Sequence, residues 1–176
     1  MSERFLVLSG CSGGGKTTLL DELARRGHRT VPEPGRRIVA GALAGDGGPL
    51  PWDDPVAFAH RAIALALADR EAAGDGWAIF DRSLIDAVAA LPPSAARVAL
   101  LGAHWYHARV FLVPPWRDLF ANDAERRHGF GDAVAEYERL LRAYPQAGYA
   151  VSVLPRVSIG RRVDAIEDHM AACDGR

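Results

Sequence analysis

Gly10-Cys11-Ser12-Gly13-Gly14-Gly15-Lys16-Thr17 decides the reading of this chain, because it fits G-x-x-x-x-G-K-[ST], the phosphate-binding loop. Its flanks are those the motif needs. Phe5-Leu6-Val7-Leu8 before it is a short apolar run of buried-strand type, and Thr18 to Arg26 after it is helix-forming and ends at Gly27. A strand, a glycine loop and a helix in that order present a nest of backbone N–H groups at a helix N-terminus, which binds polyphosphate. The glycines let the backbone curl around oxygens without Cβ clashes. Residues 10–18, from Gly10 to Thr18, are thus the expected nucleotide cradle. Lys16 reaches the β- and γ-phosphates, and the Thr17 hydroxyl ligates Mg²⁺.

Working outward, four more apolar runs read as buried strands: Arg29–Pro32, Trp77–Phe80, Val110–Val113 and Tyr149–Leu154. Helical stretches separate them. Pro55–Arg70 carries Val56, Ala59, Ile63 and Leu67 near helical period. Phe130, Val134, Tyr137, Leu141 and Tyr144 form a stripe that reads as core. A terminal helix runs from Ser158, as N-cap, to about Ala172. Strands alternating with helices predict an α/β three-layer sandwich with a five-stranded parallel sheet. Residues 1–176 are expected to form one domain.

In such sheets ligands bind beyond the carboxyl ends of the strands, so the residues that follow each strand are the functional candidates. Glu33, in Val31-Pro32-Glu33-Pro34, reads either as a catalytic base beside Arg36 and Arg37 or as a helix-start acid with Pro34 at the first helical position. Asp81, in Phe80-Asp81-Arg82-Ser83, reads either as a carboxylate near Mg²⁺, with Arg82 aimed at an anion, or as a helix N-cap with Arg82 in solvent. After Pro114-Pro115, the Arg-rich stretch from Arg117 to Phe130, including Arg126 and Arg127, reads as a lid over nucleotide or as a solvated helix face. Val157, in Leu154-Pro155-Arg156-Val157-Ser158, is placed to touch a nucleotide base.

Bulk properties narrow the class. The 176 residues are 49% hydrophobic, ordinary for a globular α/β protein, and the formal net charge of −1 gives no general attraction to nucleic acid or anionic lipid. With two cysteines, Cys11 and Cys173, a disulfide framework is not expected. The sequence shows no membrane-length apolar run and no signal-peptide pattern, which predicts a cytoplasmic protein.

Together these motifs resemble the small P-loop nucleoside and nucleotide kinases. Over nearly the whole chain they are similar to AAA-domain ATPases related to the ribosylnicotinamide kinase domain of bacterial NAD regulators. Val31-Pro32-Glu33-Pro34 resembles the strand-two motif of deoxynucleoside kinases, and Asp81-Arg82-Ser83 resembles their Glu-Arg-Ser motif and the Asp-Arg-aromatic motif of thymidylate kinases. The first residue of that triplet departs from the deoxynucleoside kinase pattern, Asp replacing Glu. The resemblance implies strand order 2-3-1-4-5, ATP or GTP with Mg²⁺ held by Thr17 and Asp81, and phosphoryl transfer to a small hydroxyl-bearing acceptor. It makes Glu33 the base, Arg82 a transition-state contact, and Arg126 and Arg127 lid arginines. The acceptor is expected between Glu33, Arg36, Arg37, the 52–58 segment and Asp81-Arg82. A slow nucleotide-dependent switch is the alternative, and the Asn/Thr-Lys-x-Asp pattern of GTPases is absent.

Overall fold

A computed structural model describes residues 4–11, 13–103, 105–119 and 129–175. The described strands are β1 (Phe5–Gly10), β2 (Thr30–Val31), β3 (Ala78–Asp81), β4 (Arg109–Val113) and β5 (Ala150–Val153). They form one sheet in the order β2-β3-β1-β4-β5, and every pairing is parallel. The helices are α1 (Lys16–Arg25), α2 (Pro34–Leu43), α3 (Pro55–Ala72), α4 (Leu84–Ala90), α5 (Ala95–Gly102), α6 (Phe130–Gln146) and α7 (Ile159–Asp174).

Strand alternation divides the core into two layers. Phe5, Val7, Phe80, Val110 and Leu112 face a cluster with Ile63, Val88, Leu140 and Tyr144, from helices α3, α4 and α6. Leu6, Leu8, Ile79, Phe111 and Val113 face the opposite cluster with Leu19, Leu23, Val163 and Ile166, from helices α1 and α7. The central strands β1, β3 and β4 are therefore apolar on both sides, which is why their runs read as continuous, whereas edge strand β5 is partly exposed. Complete burial of a Leu, Val or Phe stabilises by about 1.5–3 kcal/mol, so these two layers carry the fold.

Local chemistry sets the helix starts. Asp54 caps α3 by accepting from the Ala57 N–H at 2.9 Å, with Pro55 in the first turn. Ser83 caps α4 in a reciprocal box with Asp86, and Ser94 caps α5 by accepting from the Arg97 N–H at 3.0 Å. Ser158 holds the N-cap position of α7 as expected, without a side-chain cap bond. Two expectations are corrected. The cap of α4 is Ser83, whereas Asp81 ends β3. The fully buried face of α6 is Ala133, Leu140, Ala143 and Tyr144, so of the expected stripe only Tyr144 is fully buried, and Tyr137 and Leu141 pack at its margin.

The phosphate-binding motif is tied to the sheet by close approach. Gly10 has φ 125°, and a Cβ there would lie 2.3 Å from the Val113 carbonyl oxygen on β4. Gly27, which ends the α1 turn with φ 92°, has open space on its Cβ side. Gly10→Ala should therefore destabilise the protein by more than about 3 kcal/mol, since backbone strain and overpacking combine. Gly27→Ala should cost only about 1–2 kcal/mol from the backbone alone. Urea unfolding of the two variants tests this, and equal losses would show that the Gly10–Val113 approach is not a constraint.

Candidate functional site

Register brings the candidate residues to one end of the sheet. Leu8 pairs with Asp81 and Gly10 with Val113, so the glycine loop, the Asp81-Arg82 turn and the end of β4 are neighbours. Gly15 sits at the N-cap of α1 in the left-handed conformation, φ 81°, and supplies no side-chain cap. The first-turn N–H groups of α1 therefore look into the loop without a side-chain acceptor, the condition for anion binding. Cys11 and Gly14 are buried, Gly13 is half-buried with φ 78°, and Thr17 and Thr18 are exposed on the first turn. Ser12, Arg126 and Arg127 lie outside the described residues. Val157 is half-buried in the β5–α7 connection.

Lys16 is buried, and its ammonium donates to the carbonyls of Cys11 at 2.9 Å and Gly10 at 3.3 Å. Burial first, and then the Arg82 charge, lowers its pKa. Asp81 is 7% exposed, and its Oδ1 has no hydrogen-bond partner. Burial raises its pKa to about 6 against the opposing pull of Lys16, with Glu33 adding to the rise. A buried carboxylate oxygen left unsatisfied at the edge of a phosphate nest fits a divalent cation, because a cation would supply the missing partner.

Arg82 organises the opposite wall. It is the only non-glycine residue with positive φ among the described residues, at 65°. Its guanidinium meets Glu136 at 2.8 Å, Glu33 at 3.0 Å and Asp86 at 3.6 Å. The Glu33 contact is charge proximity without hydrogen-bond alignment, whereas Glu136 accepts a true hydrogen bond. Asp86 in turn accepts from Tyr144 at 2.5 Å, from the Ser83 N–H at 2.8 Å and from the Ser9 hydroxyl. Arg82 is thus not the solvent-facing residue of the alternative reading: its side chain is only 14% exposed.

Glu33 occupies the N-cap position of α2 without a side-chain cap bond, and it also lies 3.4 Å from Arg36. Glu33 thus starts the helix and also lines the cleft. Arg37 turns away and pairs with Asp69 at 2.7 Å, so it leaves the expected acceptor pocket. The cleft is about 280 Å³ and runs from Lys16 past Glu33 and Arg82 to Phe58, Val39 and Arg139. The 52–58 segment contributes Pro55 and Phe58 to it.

Sequence reasoning missed Glu136, Arg139, Asp86 and Arg162. A signal existed for two of them. Glu136 lies three residues after buried Ala133 and four before buried Leu140, so it is an acid on the buried face of α6. Arg162 lies likewise on the stripe of Ile159, Val163 and Ile166. It is 1% exposed, donates to the Gly14 carbonyl at 3.2 Å, and stands 5.6 Å from the Trp116 ring. Burial lowers its pKa. Arg117 lies 4.5 Å from the Phe130 ring, so the two described ends of the 117–130 stretch meet.

Burial acts most strongly on Glu136 and raises its pKa, but the Arg82 charge and hydrogen bond, with Lys16 and Arg139, hold it down at about 2. A depressed carboxylate adds stability that is full above the ordinary Glu range near pH 4.5 and is lost as pH falls toward 2. Glu136→Gln should therefore cost about 1.5–3 kcal/mol at pH 7. The difference from wild type should shrink between pH 4.5 and 2. A constant difference across that window in urea titrations would contradict the Arg82 assignment.

Among the described residues no helix is long and apolar enough to cross a membrane. The fold has solved relatives. A deoxyadenosine kinase from M. mycoides with dCMP and dCDP bound is similar over 96% of this chain and 99% of its own, with TM-score 0.65 and 11% identity. A shikimate kinase from Acinetobacter baumannii in complex with shikimate is similar over 96% and 93%, with TM-score 0.58 and 14% identity. At these identities the likeness shows a P-loop kinase-like fold. No curated protein matches the sequence. Residues 5–162 match the family described as AAA domain, and the chain, with its phosphate loop at the head of a 2-3-1-4-5 sheet, belongs to that family.

Proposed function

We propose that the protein is an ATP-dependent phosphotransferase acting on a small hydroxyl-bearing molecule, with residues 1–176 forming one nucleotide-binding domain. The observation that carries this reading is the shared cleft. Lys16, Glu33 and Arg82 border one space of about 280 Å³, which is walled on the far side by Phe58 and Val39. A switch that only hydrolyses nucleotide has no need of an apolar-walled chamber beside its phosphate loop. The chamber is at the small end of ligand-pocket volumes, which suits an acceptor of one ring or a short polyol.

In this reading the N–H groups of the 10–18 loop and Lys16 hold the polyphosphate. Arg82, fixed by Glu136 and Asp86, faces the charge that develops on the moving phosphoryl group. Glu33 accepts the proton of the attacking hydroxyl, and Phe58 and Val39 exclude water from it. Thr17 and Asp81 are the side chains suited to hold Mg²⁺, which when bound neutralises phosphate charge. GTP in place of ATP fits the same cradle. Arg126 and Arg127 are assigned to lid contacts, and Val157 to the nucleotide base, on resemblance and position alone.

The test pairs two variants with an acceptor screen. Thermal shift with an ATP analogue and Mg²⁺, then with nucleosides, aminoglycosides and cofactor precursors, finds an acceptor, since a ligand bound to the folded state raises apparent stability. Glu33→Gln should then slow transfer by about 10²–10⁴-fold with nucleotide affinity kept. Lys16→Ala should weaken nucleotide binding by about 10–100-fold, as expected for loss of a charged hydrogen bond. Undiminished transfer by Glu33→Gln would remove it as the base. Unchanged nucleotide affinity in Lys16→Ala would remove the phosphate-site assignment.

A further inference from the structure

A second chemical cluster lies at the other end of the sheet. His107 precedes the first residue of β4, whereas Val113, the last, abuts the glycine loop. A five-residue strand spans about 16 Å, so this cluster is well separated from the nucleotide cradle. His169 and Cys173 stand four residues apart on α7, hence on one face of the helix. The three side chains converge. The Cys173 sulfur is 3.6 Å from His107 Nε2 and 3.7 Å from His169 Nε2. Their three ligand atoms all lie within 4.8 Å of one another.

The geometry points to a transition-metal site, taking Zn²⁺ or a similar borderline-soft divalent ion through His107, His169 and Cys173. Tetrahedral zinc with Zn–S near 2.3 Å and Zn–N near 2.05 Å requires sulfur–nitrogen edges of about 3.6 Å. The two observed edges match that length. A thiolate and two imidazoles are also the donor set that suits zinc rather than Mg²⁺ or Ca²⁺.

The surroundings hold the ligands in place. The His107 backbone N–H donates to the Phe5 carbonyl at 2.9 Å, anchoring the ligand to β1. Its Nδ1 lies 3.0 Å from the Arg109 N–H and 3.3 Å from the Arg109 carbonyl. The Arg109 N–H donates to Nδ1, which leaves the ring proton on Nε2, so metal binding at Nε2 would shift that proton to Nδ1, where the Arg109 carbonyl would accept it. The Trp77 ring flanks His107 at 5.7 Å and the Phe111 ring flanks His169 at 5.6 Å, limiting water around the site.

Binding moves one proton and no electron. The Cys173 S–H bond breaks as the sulfur–metal bond forms, the proton passes to solvent, and water fills the remaining coordination position. The ion would staple the last turn of α7 to the start of β4.

Cobalt is the probe. Full-length protein, stripped with chelator and kept reduced, should bind one Co²⁺ with tetrahedral d–d absorption and a thiolate-to-cobalt charge-transfer band, and Zn²⁺ should displace it. Mg²⁺ should not. Zn²⁺ should also release a proton in weak buffer and raise the melting temperature. Cys173→Ser should abolish the charge-transfer band, while Cys11→Ser should retain it. His169→Gln should weaken Zn²⁺ by more than about 100-fold, because loss of a ligand exceeds loss of an outer-shell partner. His107→Gln should do the same from a different element, which guards against a helix α7 folding defect. Absence of the charge-transfer band in wild type would overturn the site, as would its persistence in Cys173→Ser. Rapid alkylation of Cys173 with no metal uptake would show a reactive thiol instead and would also overturn it.

Discussion

The candidate site depends on a single cation in a left-handed backbone. Arg82 follows the last residue of β3 at φ 65°, a conformation costing about 1–3 kcal/mol for a residue with a Cβ. Its N–H donates to the Leu8 carbonyl at 3.0 Å, so the turn is pinned to the central strand. Three carboxylates from α2, α4 and α6 then close on the guanidinium. The strain at Arg82 is thus tied to ion pairs that would be lost if the turn relaxed. Removing one carboxylate leaves a desolvated guanidinium short of charge, which is why such clusters are sensitive to single deletions.

Beneath Arg82, the Asp86 carboxylate ties that centre to the core. Tyr144, Ser83 and Ser9 all donate to it, joining α6, the α4 cap and β1. A buried polar network this complete carries orientation rather than bulk stability, because its gains are set against desolvation. The apolar layers on either side provide the stability, and the network selects which way Arg82 points. That division explains why the cleft can be lined by opposite charges without collapsing into direct Lys16 pairs. Lys16 spends its ammonium on loop carbonyls instead.

Much of the fold was legible, and for a physical reason. Parallel strands buried on both faces must be continuously apolar, so Phe5–Leu8 and Val110–Val113 stand out against everything around them. Helix α6 was legible in place but not in phase. Its apolar residues cover more than one face, and only contacts with the sheet show that Leu140 rather than Leu141 is fully buried. The Glu33 and Asp81-Arg82 positions were legible as strand-end residues, but their partners were not. Glu136 lies 54 residues from Arg82, and nothing in local spacing links them. Arg37 shows the converse: adjacent to Arg36 in sequence, it points elsewhere because one helical step rotates a side chain by about 100°. The cluster of His107, His169 and Cys173 was hidden for the same reason, since only the helical spacing of the last two is local.

Under the proposed function, the surroundings of Lys16 suit it to phosphate. An ammonium with three donors and a pKa lowered by burial stays charged only if its neighbours accept hydrogen bonds. The Gly10 and Cys11 carbonyls do that, and they belong to the same loop whose N–H groups face the nest. A polyphosphate entering the nest offers stronger, charged acceptors, so the ammonium can trade carbonyls for phosphate oxygens within the same loop. The opposing change falls on Asp81. Its pKa of about 6 reflects desolvation, and an incoming cation would hold it ionised by giving Oδ1 the partner it lacks. Burial thus disfavours the charged form of both groups, and under the proposed function a magnesium–polyphosphate complex would relieve both. Arg162 donates to the Gly14 carbonyl, a partner that would keep that oxygen engaged if the loop's N–H groups turn to an anion.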